Sequence, residues 1–216
     1  MDWGWVVDNR DLIGSLLVEH IWLSAIPVVL GLALALVVGV LAHTYRWAYP
    51  PLLVAVGVLY TIPSLALFIV LPVLLGTQIL NPLNIVIALT IYSGALLVRT
   101  VVDGLDTVPE AVRQAAVGLG YRRFPRIVTV ELPIAIPVII AGLRVVTVAN
   151  ISMVSVGALI GIGGLGELFT SGFQIRFVTE IVVGLALSLL LAVSADALLV
   201  LAQHRTTPWD RLGRTA

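Results

Sequence analysis

No cysteine and no lysine occur in this chain, and charge of either sign is scarce: 11% of its 216 residues are Asp, Glu or Arg. Without cysteine there are no disulfides, no thiolate metal sites and no cysteine nucleophile. All twelve basic residues are arginine, which we read as a coding bias rather than as chemistry. Soluble domains carry about 25% charged residues. Here 60% of the residues are hydrophobic and the mean hydropathy is +1.11. One water-soluble core cannot hide that much apolar surface, so the composition implies an integral membrane protein. The opening "MDWGWVVDNRDLIG" carries acids and a single arginine before its first apolar run, unlike the basic start of a cleavable signal peptide. No G-x-x-x-x-G-K-[ST] phosphate loop is present, so the chain is not expected to hydrolyse ATP itself. No Ser/His/Asp arrangement with a nucleophile elbow appears.

Apolar runs are what the chain has in abundance. A helix needs about 20 apolar residues to cross a bilayer core. Five runs qualify: 20–42, 51–75, 83–102, about 132–160, and 178–202. The second contains Pro63 and Pro72, so it is kinked or split, and two re-entrant pieces would raise the count to six. The expectation is an all-α integral membrane fold of about five spans in a single domain over 1–216. Loop 103–131 and the tail 204–216 would lie on one side. That side collects Arg46, Arg113, Arg122, Arg123, Arg126, Arg205, Arg211 and Arg214, while the other holds Arg10 and Arg176. The positive-inside rule then puts the N-terminus outside and the C-terminus in the cytoplasm.

The stretch "QAAVGLGYRRFPRIVTVELP" at 114–133 concentrates the charge. Thr107 followed by Glu110 reads as a capping box with Pro109 in the first turn. "EAVRQAAVGL" reads as a short helix, Gly120 as its left-handed stop, and Pro125 as the first turn of a second helix. A plain solvated loop obeying the positive-inside rule is the simpler alternative.

Gln114-Ala115-Ala116, then Gly120, then Leu132-Pro133 resembles the E-A-A-x-x-x-G…L-P loop of type I ABC importer permeases. Gln114 stands where the pattern has Glu, and Glu110 lies one turn earlier. "TIPSLALF" (61–68), "VELPIAIPVIIAGLR" (130–144) and "GIGGLGELFTSGF" (161–173) are similar to permeases of osmoprotectant importers, whose solutes include glycine betaine, choline, carnitine and proline. Methionine importers share much of this core, so methionine or another small polar solute, such as a thione-bearing betaine, is the alternative cargo. The resemblance spans about 15–203. It implies a cytoplasmic coupling helix that docks on a separate ABC ATPase dimer. It also implies a second permease subunit, identical or homologous, and an extracytoplasmic solute-binding protein, all in a prokaryotic inner membrane. Glu110, Arg113, Gln114, Ala115, Ala116, Gly118, Leu119, Gly120, Arg122 and Arg123 become the candidate coupling residues. Among them, the small residues allow close approach, Leu119 is an apolar anchor, and the arginines offer hydrogen bonds to the ATPase. A membrane scaffold or membrane enzyme has no need of such a handle.

Tyr60, Pro63, Ser64, Arg144, Asp196, Gly163, Gly164 and Gly166 are candidates for the translocation path or its framework. "GIGGLG" at 161–166 matches a dinucleotide fingerprint by letter, but it has no preceding strand and no acid at the right distance. Glycines that let a loop turn tightly account for it better. Gly157 and Gly161 form a G-x-x-x-G packing face, within or between subunits. His20, His43 and His204 are expected at span ends and form no metal constellation. Arg144 and Asp196 lie inside spans, where charges are costly and are paired or functional. Their depths differ by about 8 Å on a 1.5 Å rise, so they either pair or face a wet cavity separately. No cofactor and no nucleic acid are expected.

Overall fold

The computed structural model describes residues 1–208 and is helical, with no strand among them. Ten α-helices appear among the described residues: α1 (Trp3–Asp8), α2 (Arg10–Thr44), α3 (Tyr49–Thr61), α4 (Ser64–Leu75), α5 (Leu83–Asp106), α6 (Glu110–Gly118), α7 (Arg123–Arg126), α8 (Leu132–Gly157), α9 (Gly166–Gln174) and α10 (Val178–Thr206). By length and composition α2, α5, the continuous run Arg123–Ile160 and α10 can each cross a membrane, and α3–α4 adds a fifth as a bent pair. The count of about five therefore stands. The helix that carries the first apolar run starts at Arg10, ten residues before that run at 20–42. Arg211 and Arg214, and with them most of the tail 204–216, lie outside the described residues.

The centre of the bundle is α2 packed on α5, with α8 against both. Small residues set how closely α2 and α5 approach. A β-carbon at Gly31 would lie 2.5 Å from Ser93 Cβ, and one at Gly39 would lie 2.7 Å from Val101 Cγ1. Close backbone approach of this kind supplies the van der Waals contact that holds helices together in lipid, where the hydrophobic effect gives little. One core cluster joins α2, α5 and α8 through Ala35, Leu97, Val101 and Ala135, and another joins α2, α4 and α5 through Leu23, Phe68 and Leu89.

The second run breaks at Ile62-Pro63, where α3 and α4 meet at 99°. Pro63 lacks an N–H, and it drives Ile62 into extended backbone (φ −75°, ψ 122°). Pro72, by contrast, stays inside α4 without breaking it. The tyrosines secure the break. Tyr92 Oη donates to the Ile62 carbonyl at 2.6 Å, and Tyr60 Oη donates to the Tyr92 carbonyl at 3.2 Å. Their rings meet edge to face at 5.6 Å. The proline thus frees a carbonyl in mid-span, and a neighbouring hydroxyl satisfies it, as lipid cannot.

Candidate functional site

Helix α6 projects at the arginine-rich end of the bundle. The expected capping box does not form. Thr107 Oγ1 donates back to the Gly104 carbonyl at 2.7 Å, and Pro109 is the N-cap. A box would require Val108, the residue before a proline, to be helical, and the proline ring opposes that. The stop is as read from the sequence. Gly120 sits at φ +86°, Tyr121 N–H donates to the Ala116 carbonyl at 3.1 Å, and Gly120 N–H donates to Val117 at 2.9 Å. These two bonds make the Schellman closure that a left-handed glycine permits. Pro125 falls in the first turn of α7, as expected.

The candidate coupling residues divide between two faces. Ala115, Gly118 and Leu119 point out, with Leu119 79% exposed and open space around Gly118. Ala116 is buried, so the small residues do not form a single outward face. Gln114 Nε2 reaches Glu110 Oε1 at 3.5 Å. Arg122 is exposed. Arg113 turns inward: its Nη2 donates to the Leu105 carbonyl at 2.5 Å, and its Nε lies 3.4 Å from Glu131 Oε2. Arg123 donates to the Thr44 carbonyl. Arg113 therefore fastens α6 to its own bundle rather than offering bonds outward.

Sequence reading missed the group that Arg113 meets. Glu131 is fully buried, and its Oε1 accepts from Arg126 Nε at 2.7 Å. His43 Nε2 stands 3.6 Å from Glu131 Oε2, and His43 Nδ1 stands 3.0 Å from Asp106 Oδ1. Asp106 in turn accepts both Arg46 Nη1 and Nη2, at 2.9 and 2.7 Å. A cavity of about 380 Å³ opens beside this cluster, lined by His43, Arg46, Glu110, Arg113, Gln114 and their neighbours. One signal was available: Glu131 is a lone acid directly before Leu132-Pro133, at the head of an apolar run.

Further along α8, at its seam with α10, Arg144 and Asp196 meet. Nε donates to Oδ1 at 2.7 Å and Nη2 to Oδ2 at 2.8 Å, joining α8 to α10. This two-pronged geometry is the strong form of the pair. Apart from Val183 and Gly184 near its start, the apolar side chains of α10 are only partly covered or exposed within the subunit. Pro63 caps α4, Ser64 begins it, and Tyr60 lines a small cavity of about 80 Å³ with Tyr92, Ser93 and Asn150. Asn150 Nδ2 donates to Ser93 Oγ at 2.9 Å.

The glycine loop is a packing device. A β-carbon on Gly163 would lie 2.4 Å from Ala158 N, and one on Gly166 would lie 2.5 Å from the Ser155 carbonyl. Gly164 takes φ +47°, and a β-carbon there would lie 2.7 Å from the His20 backbone nitrogen. A β-carbon on Gly157 would run into the Ile162 carbonyl and the Ile85 side chain, so the G-x-x-x-G closes within the subunit. His20 is accordingly a buried residue, not an interfacial one, and its Nε2 lies 2.9 Å from the Ile151 carbonyl. Beyond this loop and outside the spans, burial lifts the Glu167 carboxyl above its ordinary range, and nearby Glu19 adds to the shift.

Three comparisons bear on this arrangement. The family described as "Binding-protein-dependent transport system inner membrane component" matches residues 28–207. The osmoprotectant import permease protein OsmW of Salmonella typhimurium is 36% identical over 207 residues, covering 94% of this chain and 96% of that protein. The ergothioneine transport permease/ergothioneine binding protein EgtU of Helicobacter pylori is also 36% identical, over 173 residues, covering 80% of this chain but 31% of that longer protein. Among solved structures, an amino acid ABC transporter crystallised with histidines superposes with a TM-score of 0.78 at 20% identity, covering 95% of this chain and 99% of that one. That likeness shows the fold, and the family match adds the class: this chain belongs to the inner-membrane components of binding-protein-dependent transport systems.

Proposed function

We propose that this chain is the permease subunit of an ATP-driven importer of osmoprotectant solutes, and that it forms the translocation path with a second permease subunit. Its topology has the N-terminus outside and α6 in the cytoplasm, as the arginine asymmetry requires. Helix α6 docks on a separate ATPase dimer, and an extracytoplasmic binding protein delivers the solute. The chain itself catalyses no reaction. The observation that carries this reading is the exposed face of α6: Leu119 stands out at 79% exposure beside an open Gly118, on a nine-residue helix. A helix that short is marginal on its own in water, below the roughly 12–15 residues an isolated helix needs. An apolar side chain presented from a capped short helix is a docking surface.

The solute class follows from the osmoprotectant-type motifs at 61–68, 130–144 and 161–173, and the identity with OsmW supports it. EgtU is as similar over a shorter span and favours a second reading, a thione-bearing betaine. Proline aside, whose ammonium is secondary, the solutes of both readings share a quaternary ammonium beside a carboxylate or hydroxyl. Uptake into proteoliposomes holding the permease, ATPase and receptor separates the possibilities. Labelled glycine betaine, choline, carnitine, proline, ergothioneine and methionine are each supplied with ATP. We expect ATP-dependent uptake of one or more of the first four. Uptake of ergothioneine or methionine alone overturns the osmoprotectant assignment. No ATP-dependent uptake of any small polar solute overturns the importer.

A further inference from the structure

Glu131 has a position that the docking face of α6 does not explain. It ends the π-turn Ile127–Glu131, which joins α7 to α8. A π-turn takes an extra residue into the helix and rephases those after it, and such turns recur at functional sites. Here the carboxylate is turned into a place with no solvent access. Three cationic or titratable side chains converge on it, each from a different helix: Arg113 from α6, Arg126 from α7 and His43 from α2. All three are largely buried, with side chains 18%, 21% and 10% exposed. A carboxylate in such a site must be paired, because removing one partner leaves the other charge stranded.

The bonds around it are uneven. Oε1 has a short hydrogen bond from Arg126 at 2.7 Å. Oε2 has only ionic contacts, 3.4 Å to Arg113 and 3.6 Å to His43. Both exceed the 2.7–3.2 Å of a formed N–H···O bond. Glu131 is thus bound firmly to its own segment and loosely to α6 and α2. A movement of α6 that brings Arg113 a few tenths of an ångström nearer Glu131 would turn the 3.4 Å contact into a bond, and His43 on the same oxygen would feel the change. Beyond His43, the chain of charges continues to Asp106 on α5 and to Arg46 ahead of α3. No other buried side chain among the described residues is shown in ion contact with both α6 and α2.

Resting on the importer reading, we infer that Glu131 is a positioning residue for energy coupling. It is the link through which displacement of α6 by the ATPase reaches α2 and α8. Leu119 and its neighbours receive the push, and Glu131 passes it on. These are separable steps, so removing the link disconnects ATP hydrolysis from solute movement while the docking face stays intact.

The test uses the whole complex of permease, ATPase and receptor in proteoliposomes, with glycine betaine, choline, carnitine and proline supplied together. Three quantities are read: ATPase co-purified per permease, ATP turnover, and solute moved per ATP. Glu131→Gln keeps shape and removes charge. Arg113→Met removes the loose contact together with the bond to the Leu105 carbonyl, and leaves the Arg126 bond to hold Glu131. We expect both variants to co-purify ATPase and to turn over ATP. Solute moved per ATP should fall about 2- to 30-fold, the range that changes along a coupling network produce. Arg113→Lys keeps the charge and should recover part of the ratio. If Glu131→Gln does not accumulate in the membrane, Arg113→Met carries the same prediction. An unchanged ratio of solute to ATP in Arg113→Met overturns the inference. So does a loss of uptake matched by an equal loss of bound ATPase, which is what a merely structural role produces. The parental complex is the separate control: absence of transport there sinks the importer reading instead.

Discussion

Replacing Gly120 with valine should disorder α6 without touching anything else. The residue sits at φ +86°, and a β-carbon built there meets nothing within 4 Å. The cost is therefore conformational alone. Holding a non-glycine residue in that left-handed region costs about 1–3 kcal/mol, and a β-branched residue lies at the upper end. The alternative is to give up the two closing bonds, Tyr121 N–H to Ala116 and Gly120 N–H to Val117. Either way the ratio of ordered to disordered α6 falls by roughly 5- to 150-fold, from the same 1–3 kcal/mol. Gly118→Ala makes the opposite prediction. It too has open space, but it lies within the helix, where alanine is favoured over glycine by at most about 1 kcal/mol. Hydrogen exchange of residues 112–119 in nanodiscs reads both effects. Protection should drop in Gly120→Val and hold or rise in Gly118→Ala, with the spans unchanged in each. Equal protection of α6 in Gly120→Val and parent would refute the argument that the left-handed stop orders this helix.

Three further outcomes follow from the geometry. Reversing either Arg144 or Asp196 should abolish uptake, and exchanging the two residues should restore it in part; a double variant no better than the singles would mean that the pair is not the relevant contact. Tyr92→Phe should free the Ile62 carbonyl in mid-span at a cost of about 1–3 kcal/mol, seen as a lower melting temperature and faster thiol labelling of a cysteine at 62; an unchanged melt would mean that the 2.6 Å bond does not hold the break. Single cysteines at 9 and 78 should react with impermeant reagents from outside and one at 118 should not, whereas labelling at 118 from outside would invert the proposed topology.

How much of this was legible depends on how local each determinant is. Gly120 was readable because one residue type suits a left-handed stop. Pro63 was readable because a missing N–H breaks a helix in any context. Thr107 misled because its motif was considered without the conformational demand that Pro109 places on Val108. The inward turn of Arg113 was not readable, because its partners, the Leu105 carbonyl on α5 and Glu131 in the π-turn, meet it only once α6 folds back on the bundle. A lone Glu131 gives no sign of what it meets until α2, α6 and α7 are brought together. The Arg144–Asp196 pair was intermediate: the cost of charge in lipid marked both residues, and only the packing of α8 on α10 decided that they share a bond. The glycines at 163, 164 and 166 were recognised as tight, but what they are tight against required coordinates.

In the proposed function α6 is the surface through which ATP hydrolysis is felt, and one substitution tests that most directly. Leu119→Asp places a charge on the exposed apolar anchor at the end of α6 and meets little of its own chain, since Leu119 is 79% exposed. The measurement is receptor-stimulated ATP turnover in proteoliposomes that contain permease, ATPase and solute-loaded receptor. Parental complexes should show stimulation. Leu119→Asp complexes, with the permease inserted at normal levels, should show little or none, together with reduced ATPase binding. Stimulation at the parental level in Leu119→Asp would mean that α6 is an ordinary connector and that this chain does not receive work through it.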